Sequence, residues 1–451
     1  MTARERAVVL AAGKGTRMKS DLPKVLHRVG GRTLVAHVLA MLAEAGGIET
    51  CVVVGPEGAA VAAEAKATSQ DVTTATQMNQ AGTADAVLAA RDFLDAHDDG
   101  IVYVLFADTP LVRPETIDAM RARLAAGAQV VVLGFAPDDP TGYGRILTTA
   151  DGEVTAIREH RDATEDERAV RLCNSGVMAF AVPGLSALLS EIGNDNAKGE
   201  YYLTDAIEIA RAKGYRVEVA VTGSDDVLGI NSRAQLAEAE ALFQTRARAA
   251  ALESGVTMIA PETVYFSADT KLGRDVTLEP NVFFGAGVTI ADNVTVKANC
   301  HLEGATIGDG AVIGPFARLR PGANLSNDVR IGNFVEVKNV EMGAGAKANH
   351  LAYLGDGTVG DAANVGAGTI FCNYDGFNKH RTEIGDGAFI GSNSALVAPV
   401  RIGEGAYVGS GSVITKSVPD GALAVARGSQ DIRENWAQRF RARMSAKKKA
   451  G

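Results

Sequence analysis

Two sets of residues in this chain combine the side-chain types and spacing that chemistry requires. The first begins at Leu10-Ala11-Ala12-Gly13-Lys14-Gly15-Thr16-Arg17-Met18 and continues into Asp21-Leu22-Pro23-Lys24. A glycine-rich turn after a β-run lets backbone N–H groups approach phosphates, and Arg17 and Lys24 are placed to neutralise them. The P-loop pattern G-x-x-x-x-G-K-[ST] is absent, and a short glycine loop alone is also the mark of an ordinary strand-to-helix turn. Asp108 follows the β-run Ile101–Phe106 and Ala107. It is a candidate oxygen ligand for a hard cation and, ahead of Thr109-Pro110, equally a candidate helix N-cap. The second set centres on His350 in Ala348-Asn349-His350-Leu351-Ala352-Tyr353, one of seven histidines. Histidine titrates near neutrality and can take a proton from an amine, though a lone histidine is more often structural. Arg320 stands before Pro321-Gly322 and Lys338 in Glu336-Val337-Lys338, and taken alone each could be a charge on the outer face of a coil, although an arginine before Pro-Gly at a corner is unusual as filler.

The elements that must position these residues differ between the two halves. Up to about residue 230, β-rich runs (Ala7–Leu10, Cys51–Val54, Ile101–Phe106, Val130–Phe135) alternate with helical stretches such as Thr33–Glu44 and Thr83–Ala96. That grammar predicts βαβ units around a largely parallel sheet. Ser232–Leu252, without Gly or Pro, predicts one helix linking the halves. From about Val264 the pattern becomes an aliphatic residue every six positions. One block runs Val276, Val282, Val288, Val294. Another runs Ile307, Ile313, Leu319, Leu325, Ile331, Val337, with seven residues after Cys300, and a third runs from Ile384 to Ile414. Hexapeptide periodicity is the signature of a parallel β-helix. The stretch Ala367–Arg381 breaks the period and predicts an inserted loop, where binding residues tend to sit. The expected domains are 1–231, a linker helix 232–252, and 253–451.

Composition narrows the function classes. Lys+Arg number 45 against Asp+Glu 54, a net charge of −9, which argues against a nucleic-acid or anionic-membrane partner. Four dispersed cysteines (Cys51, Cys173, Cys300, Cys372) with no C-x-x-C pair suit reduced thiols and a cytoplasmic location. No apolar run approaches the ~18 residues of a membrane span. Lys447-Lys448-Lys449 reads as a solubilising tail.

The glycine loop with Arg17 and Lys24 resembles the signature of sugar-nucleotidyltransferases. Further segments match in order: Gln77 with Gly82-Thr83, Phe106-Ala107-Asp108, Thr141-Gly142-Tyr143-Gly144-Arg145, Glu159, Asn174 with Gly176, Gly199-Glu200-Tyr201-Tyr202 and Gly229-Ile230-Asn231. With the second half, nearly the whole chain resembles the bifunctional N-acetylglucosamine-1-phosphate uridylyltransferase and glucosamine-1-phosphate acetyltransferase family. The resemblance implies an α/β Rossmann-like nucleotidyltransferase domain followed by a left-handed parallel β-helix. It implies UTP and acetyl-CoA as co-substrates, and a homotrimer with acetyl-CoA in grooves between solenoids. It assigns Mg²⁺ to Asp108 and Asn231, electrostatic catalysis to Arg17 and Lys24, and base catalysis to His350. Nucleotide and sugar contacts map to Leu10, Ala11, Ala12, Gly13, Lys24, Gln77, Gly82, Thr83, Phe106, Ala107, Asp108, Gly144, Glu159, Asn174 and Asn231. Sugar-phosphate contacts map to Arg320, Lys338, Tyr353 and Asn364, and acetyl-CoA contacts to Ala367, Asn373, Tyr374, Ser392, Ser410 and Arg427. Glu336 is the carboxylate expected to orient His350. Ala107 departs from the family's usual glycine. A glucose-1-phosphate adenylyl- or thymidylyltransferase would explain the glycine loop, Lys24 and Asp108, but not the second set. A non-catalytic assembly module, as in regulatory exchange-factor subunits, would have lost the acid, base or metal residues.

Overall fold

The computed structural model describes residues 4–97 and 99–450; the outermost residues of the expected domains, 1–3 and 451, lie outside them. The chain divides into two compact units, one up to Ala249 and one from Ala250.

The first unit is built on strands β1 (Glu5–Leu10), β2 (Glu49–Val54), β3 (Thr73–Thr76), β4 (Ile101–Phe106), β5 (Val130–Phe135), β6 (Cys173–Phe180) and β7 (Val217–Val221). Their order is β7-β5-β6-β4-β1-β2-β3, and only β6 runs antiparallel to its neighbours in this row. β1, β4 and β5 are almost wholly buried, as a sheet covered on both faces requires, and two apolar clusters fill those faces. The parallel strands β4, β1, β2 and β3 therefore end side by side, and the loops that follow them carry Asp108, the glycine turn, Gly55 and Gln77. Thr33 caps the helix Leu34–Glu44 by accepting from the Ala36 N–H.

Three expectations change here. The Thr83–Ala96 run is two short helices, Thr83–Leu88 and Arg91–Asp95. The buried guanidinium of Arg6 donates to the carbonyls of Phe93, Leu94 and His97, drawing the second piece into its own direction. The helix expected at 232–252 runs Arg233–Glu253, but it packs on the first unit rather than merely linking. Ala239 is fully buried among Val29, Leu34, Leu111 and Ile230, with Leu236, Leu242 and Phe243 packed around them. Glu240 accepts from the Gly30 N–H at 2.7 Å and Arg246 donates to the buried Asp226 at 2.7 Å. Lys447–Lys449 belong to an exposed helix, Trp436–Ala450, rather than to a structureless tail.

The second unit is a parallel β-helix with three ladders of short strands. Equivalent residues on most successive coils are 17 or 18 apart, as in Thr277↔Thr295 and His301↔Arg318, and 25 apart across the inserted loop, as in Asn364↔Phe389. It begins earlier than Val264, because Thr257–Met258 already pairs with Thr277–Leu278. Each six-residue step buries two side chains, such as Val276 with Leu278 and Val282 with Phe284. The aliphatic period is thus two inward rows. The Val276–Val294 block lies in one and the Ile307–Val337 block in the other, and the apparent seven-residue step after Cys300 is a change of row. Within one row the step from Leu302 to Ile307 is five residues, and both are buried. The interruption is also shorter than Ala367–Arg381. Ile370–Cys372 is a strand in register with Ala395–Val397, so the inserted loop is residues 373–381.

Candidate functional sites

In the first unit, a cavity of about 440 Å³ opens at the carboxyl ends of the parallel strands, where open α/β sheets bind ligands. Leu10, Ala11, Ala12, Gly13, Lys24, Gln77, Gly82, Thr83, Phe106 and Asp108 line it, as expected from the sequence. Gly15 has φ 61°, and a Cβ there would stand 2.7 Å from the Lys24 Cβ, so a glycine is what lets Lys24 fold in against the loop. The Lys24 ammonium is ion-paired with Asp108 and donates to Asn231 Oδ1 at 3.0 Å. Asn231 is held there by the bond from the Ile230 N–H to the Asp108 carbonyl, 2.9 Å. Residues from two distant segments thus converge on the cation of a third.

Gly144, Glu159 and Asn174 form a neighbouring cluster. The Asn174 N–H donates to the Gly144 carbonyl at 2.8 Å, and the Thr204 hydroxyl reaches Glu159 Oε1 at 3.4 Å. Burial pushes the Glu159 carboxyl above its usual range, against the pull of Lys198. The cluster adjoins the cavity through Phe106, whose ring lies so close to Gly176 that a Cβ would meet it at 2.7 Å. Arg17 stands exposed on the turn Thr16–Met18. Ala107 lies in the apolar core, fully buried, so its methyl packs in the core and is not among the residues lining the cavity. Sequence reasoning gave no role to Lys14, Asn79, Gln80 or Glu200, which also line the cavity. Gln80 donates to the Ala12 carbonyl at 2.5 Å; it lies in an irregular loop whose approach no periodicity announces.

In the second unit, equivalent positions of successive coils bring distant residues into one column along a corner. Asn333 pairs with His350 in register. Ala348↔Val365, Val365↔Ile390 and Ile390↔Val408 continue it, so that Ala367, Ser392 and Ser410 follow His350 one coil at a time. Arg427 ends the column by donating to the Ser410 carbonyl at 2.6 Å. The exposed His350 has its Nδ1 2.6 Å from Asn333 Oδ1. Glu336 does not orient it, because that carboxylate accepts from Arg320 at 2.8 Å. Asn333 was missed by sequence reasoning, although its offset of one coil from His350 is the signal that finds it.

Beside this corner lies a cationic group. Tyr353 and Glu336 are in register on one ladder, and Lys338 stands 4.0 Å from the Asp356 carboxylate. Asp356 also accepts from Asn339 at 2.7 Å and Asn373 at 2.6 Å. Burial pushes its carboxyl up, but those two amides together with Lys338 outweigh burial and hold it below its usual range. A further residue, Lys379 of the inserted loop, joins the group. Contact with the Lys338 ammonium holds its own below the usual lysine range. Two ammonium groups facing each other favour an anion between them. Asn373 lies 3.5 Å from the Tyr353 hydroxyl, while Tyr374 is exposed with its hydroxyl donating to the Gly376 carbonyl. Asn364 lies on another ladder, paired with Lys347. Cys372 is partly exposed, and the other three cysteines are buried; all four are free thiols.

These two sites, on an α/β sheet and on a hexapeptide solenoid, define a transferase with a nucleotidyltransferase domain and a hexapeptide acyltransferase domain. Residues 7–175 match the family described as MobA-like NTP transferase domain, and residues 381–416 match bacterial transferase hexapeptide (six repeats). The chain is 58% identical over 441 residues to the bifunctional protein GlmU of Xanthobacter autotrophicus, covering 98% of each chain. It is 59% identical to that of Azorhizobium caulinodans, covering 96% of this chain and 97% of the relative. With that of Nitrobacter hamburgensis it shares 58% identity over 96% of both. The chain belongs to the bifunctional GlmU family. It is an enzyme acting on small-molecule substrates, a nucleotide and acetyl-CoA among them. Among the described residues no helix is long and apolar enough to cross a membrane.

Proposed function

We propose that the chain makes UDP-N-acetylglucosamine, a precursor of bacterial cell-wall and lipopolysaccharide polymers, in two steps carried by two domains. In the β-helix, the amine of glucosamine-1-phosphate attacks the thioester carbonyl of acetyl-CoA, and the CoA thiol leaves. With Asn333 Oδ1 as acceptor, His350 Nδ1 carries the proton and Nε2 offers its lone pair to the amine proton. Lys338, Lys379 and Arg320 hold the sugar phosphate. The observation that carries this reading is the corner column. Four of the residues assigned to acetyl-CoA, Ala367, Ser392, Ser410 and Arg427, are scattered in sequence yet stack coil upon coil in line with His350.

In the α/β domain, a phosphate oxygen of N-acetylglucosamine-1-phosphate attacks the α-phosphorus of UTP, and pyrophosphate leaves. This joins two polyanions, so catalysis is mostly positioning and charge neutralisation. Lys24 serves the transferred phosphate and Arg17 the departing one. Asp108 and Asn231 are hard oxygen donors that already share the Lys24 cation, and they fit Mg²⁺. Bound there, the ion would neutralise triphosphate charge. Two protein oxygens leave the remaining positions of such an ion to phosphate oxygens and water.

The working unit is a homotrimer in the cytoplasm. Support for assembly comes from Phe316, Phe334 and Leu351, bulky residues that hold positive φ (56°, 56° and 51°) while exposed at successive corners beside His350. The two phenyl rings stack with centroids 5.2 Å apart. Each such residue costs roughly 1–2 kcal/mol in backbone strain, which burial against another copy would offset. Incubating the purified chain with UTP and N-acetylglucosamine-1-phosphate, then separately with acetyl-CoA and glucosamine-1-phosphate, tests the proposal. Both should turn over, and failure of both overturns it.

A further inference from the structure

Gln77 is buried at the end of β3, its backbone N–H donating to the Val54 carbonyl at 2.9 Å, and its side chain lines the nucleotide cavity. Its Nε2 donates twice, to the Gly82 carbonyl at 2.9 Å and to the Asp85 carboxylate at 2.7 Å. Both partners are pure acceptors. A flipped amide would set Oε1 against two oxygens and lose both bonds, so the orientation is locked. Oε1 is left accepting no hydrogen bond among the described residues, and it is not sealed from the cavity.

The cavity runs along the strand ends. Lys24, paired with Asp108, stands at the loop after β4, while Gln77 stands at the end of β3, three strands along the row β4-β1-β2-β3. A nucleotide with phosphates at the cations therefore presents its base to the fixed Gln77 oxygen. We infer that Asp85 is a specificity-positioning residue: by locking Gln77 with Oε1 outward, it makes the site select bases that carry an imide N–H, uracil above cytosine. Uracil N3 is a donor and meets Oε1 as a partner. Cytosine N3 is an acceptor and meets it as a repulsion. Asp85 also accepts from the Ala81 N–H at 3.1 Å, so it could be no more than a helix-end cap, and the test must separate the two roles.

The inference rests on the nucleotidyl-transfer reading, which wild-type turnover of UTP with N-acetylglucosamine-1-phosphate checks by itself. The decisive measurement is kcat/KM for UTP over that for CTP in the full chain, for wild type, Asp85→Asn and Asp85→Leu. Asn retains a side-chain acceptor and Leu does not. We expect the UTP/CTP ratio to fall at least about tenfold in Asp85→Leu, the worth of one hydrogen bond to a charged carboxylate, and to stay within about threefold of wild type in Asp85→Asn. Acetyl transfer, carried by the other domain, should be unchanged in both, and the urea-unfolding midpoint of the first domain reports its folding. If Asp85→Leu lowers both rates but keeps the wild-type ratio, Asp85 is only a cap and the inference is wrong. If it fails to fold, Asp85→Ala replaces it: that side chain also lacks the acceptor for Gln77 Nε2, and an unchanged UTP/CTP ratio would equally overturn the inference.

Discussion

Removing the amide that faces His350, the proposed base, should slow acetyl transfer by a calculable amount. In Asn333→Ala, His350 Nδ1 loses the oxygen at 2.6 Å that fixes which ring nitrogen bears the proton. The site is exposed, so water replaces the lost partner, and the loss is that of an ordinary hydrogen bond, about 0.5–1.5 kcal/mol. At about 1.4 kcal/mol per decade this is roughly a two- to twelvefold fall in kcat. KM for glucosamine-1-phosphate should hardly move, because the cationic group proposed to hold the phosphate lies on the adjoining ladder. The assay follows release of the CoA thiol, with uridylyl transfer measured in the same preparation as a control. Asn333→Asp keeps an acceptor and should retain most of the rate. Wild-type kcat in Asn333→Ala, or an equal loss of uridylyl transfer, would refute the assignment of Asn333.

Three further outcomes follow from the same geometry. Gly82→Ala should lower uridylyl kcat/KM at least about tenfold while sparing acetyl transfer, since φ is 133° and the new Cβ would stand 2.4 Å from the Tyr201 carbonyl oxygen. Deleting the chain after Asn231 should destabilise the first domain and not merely disconnect it, and in full-length chain Phe243→Ala should cost about 2–4 kcal/mol in urea unfolding, because that ring packs against Gly30 and the Val29 cluster. Asp356→Asn should weaken the β-helix by about 1–3 kcal/mol at pH 7. The wild-type carboxyl titrates below its usual value, so its stabilisation is complete above about pH 4 and is lost as pH falls through the lowered native value. The gap between wild type and variant in denaturant midpoint should therefore close in acid.

Much of this was legible in the sequence because it rests on local rules. The runs that became β1, β2, β4 and β5 are apolar and β-branched, and the six-residue period made the solenoid unmistakable. Contributions that arise only when distant segments meet were not legible. Nothing near Thr83–Ala96 announces that Arg6 will bond three carbonyls there. Amphipathic weakness made Arg233–Glu253 look like a polar linker, although Ala239 and Phe243 close a small core with Val29 and Leu34. The two inward rows of the β-helix were merged because both carry aliphatics two residues apart. Asn333 and Lys379 share the reason they were missed: one is a coil away from His350, the other reaches Lys338 from an inserted loop, and neither is near its partner in sequence.

The central claim is that two transfer reactions run on two separate sites of one chain. The most direct test crosses two variants against both assays. His350→Ala should reduce acetyl transfer by about 10²–10⁴-fold and leave uridylyl transfer within about twofold of wild type. Asp108→Ala, assayed with magnesium, should do the reverse, because it removes the carboxylate that pairs with Lys24. Equal loss of both activities in either variant, or uridylyl transfer that survives Asp108→Ala, would contradict the account.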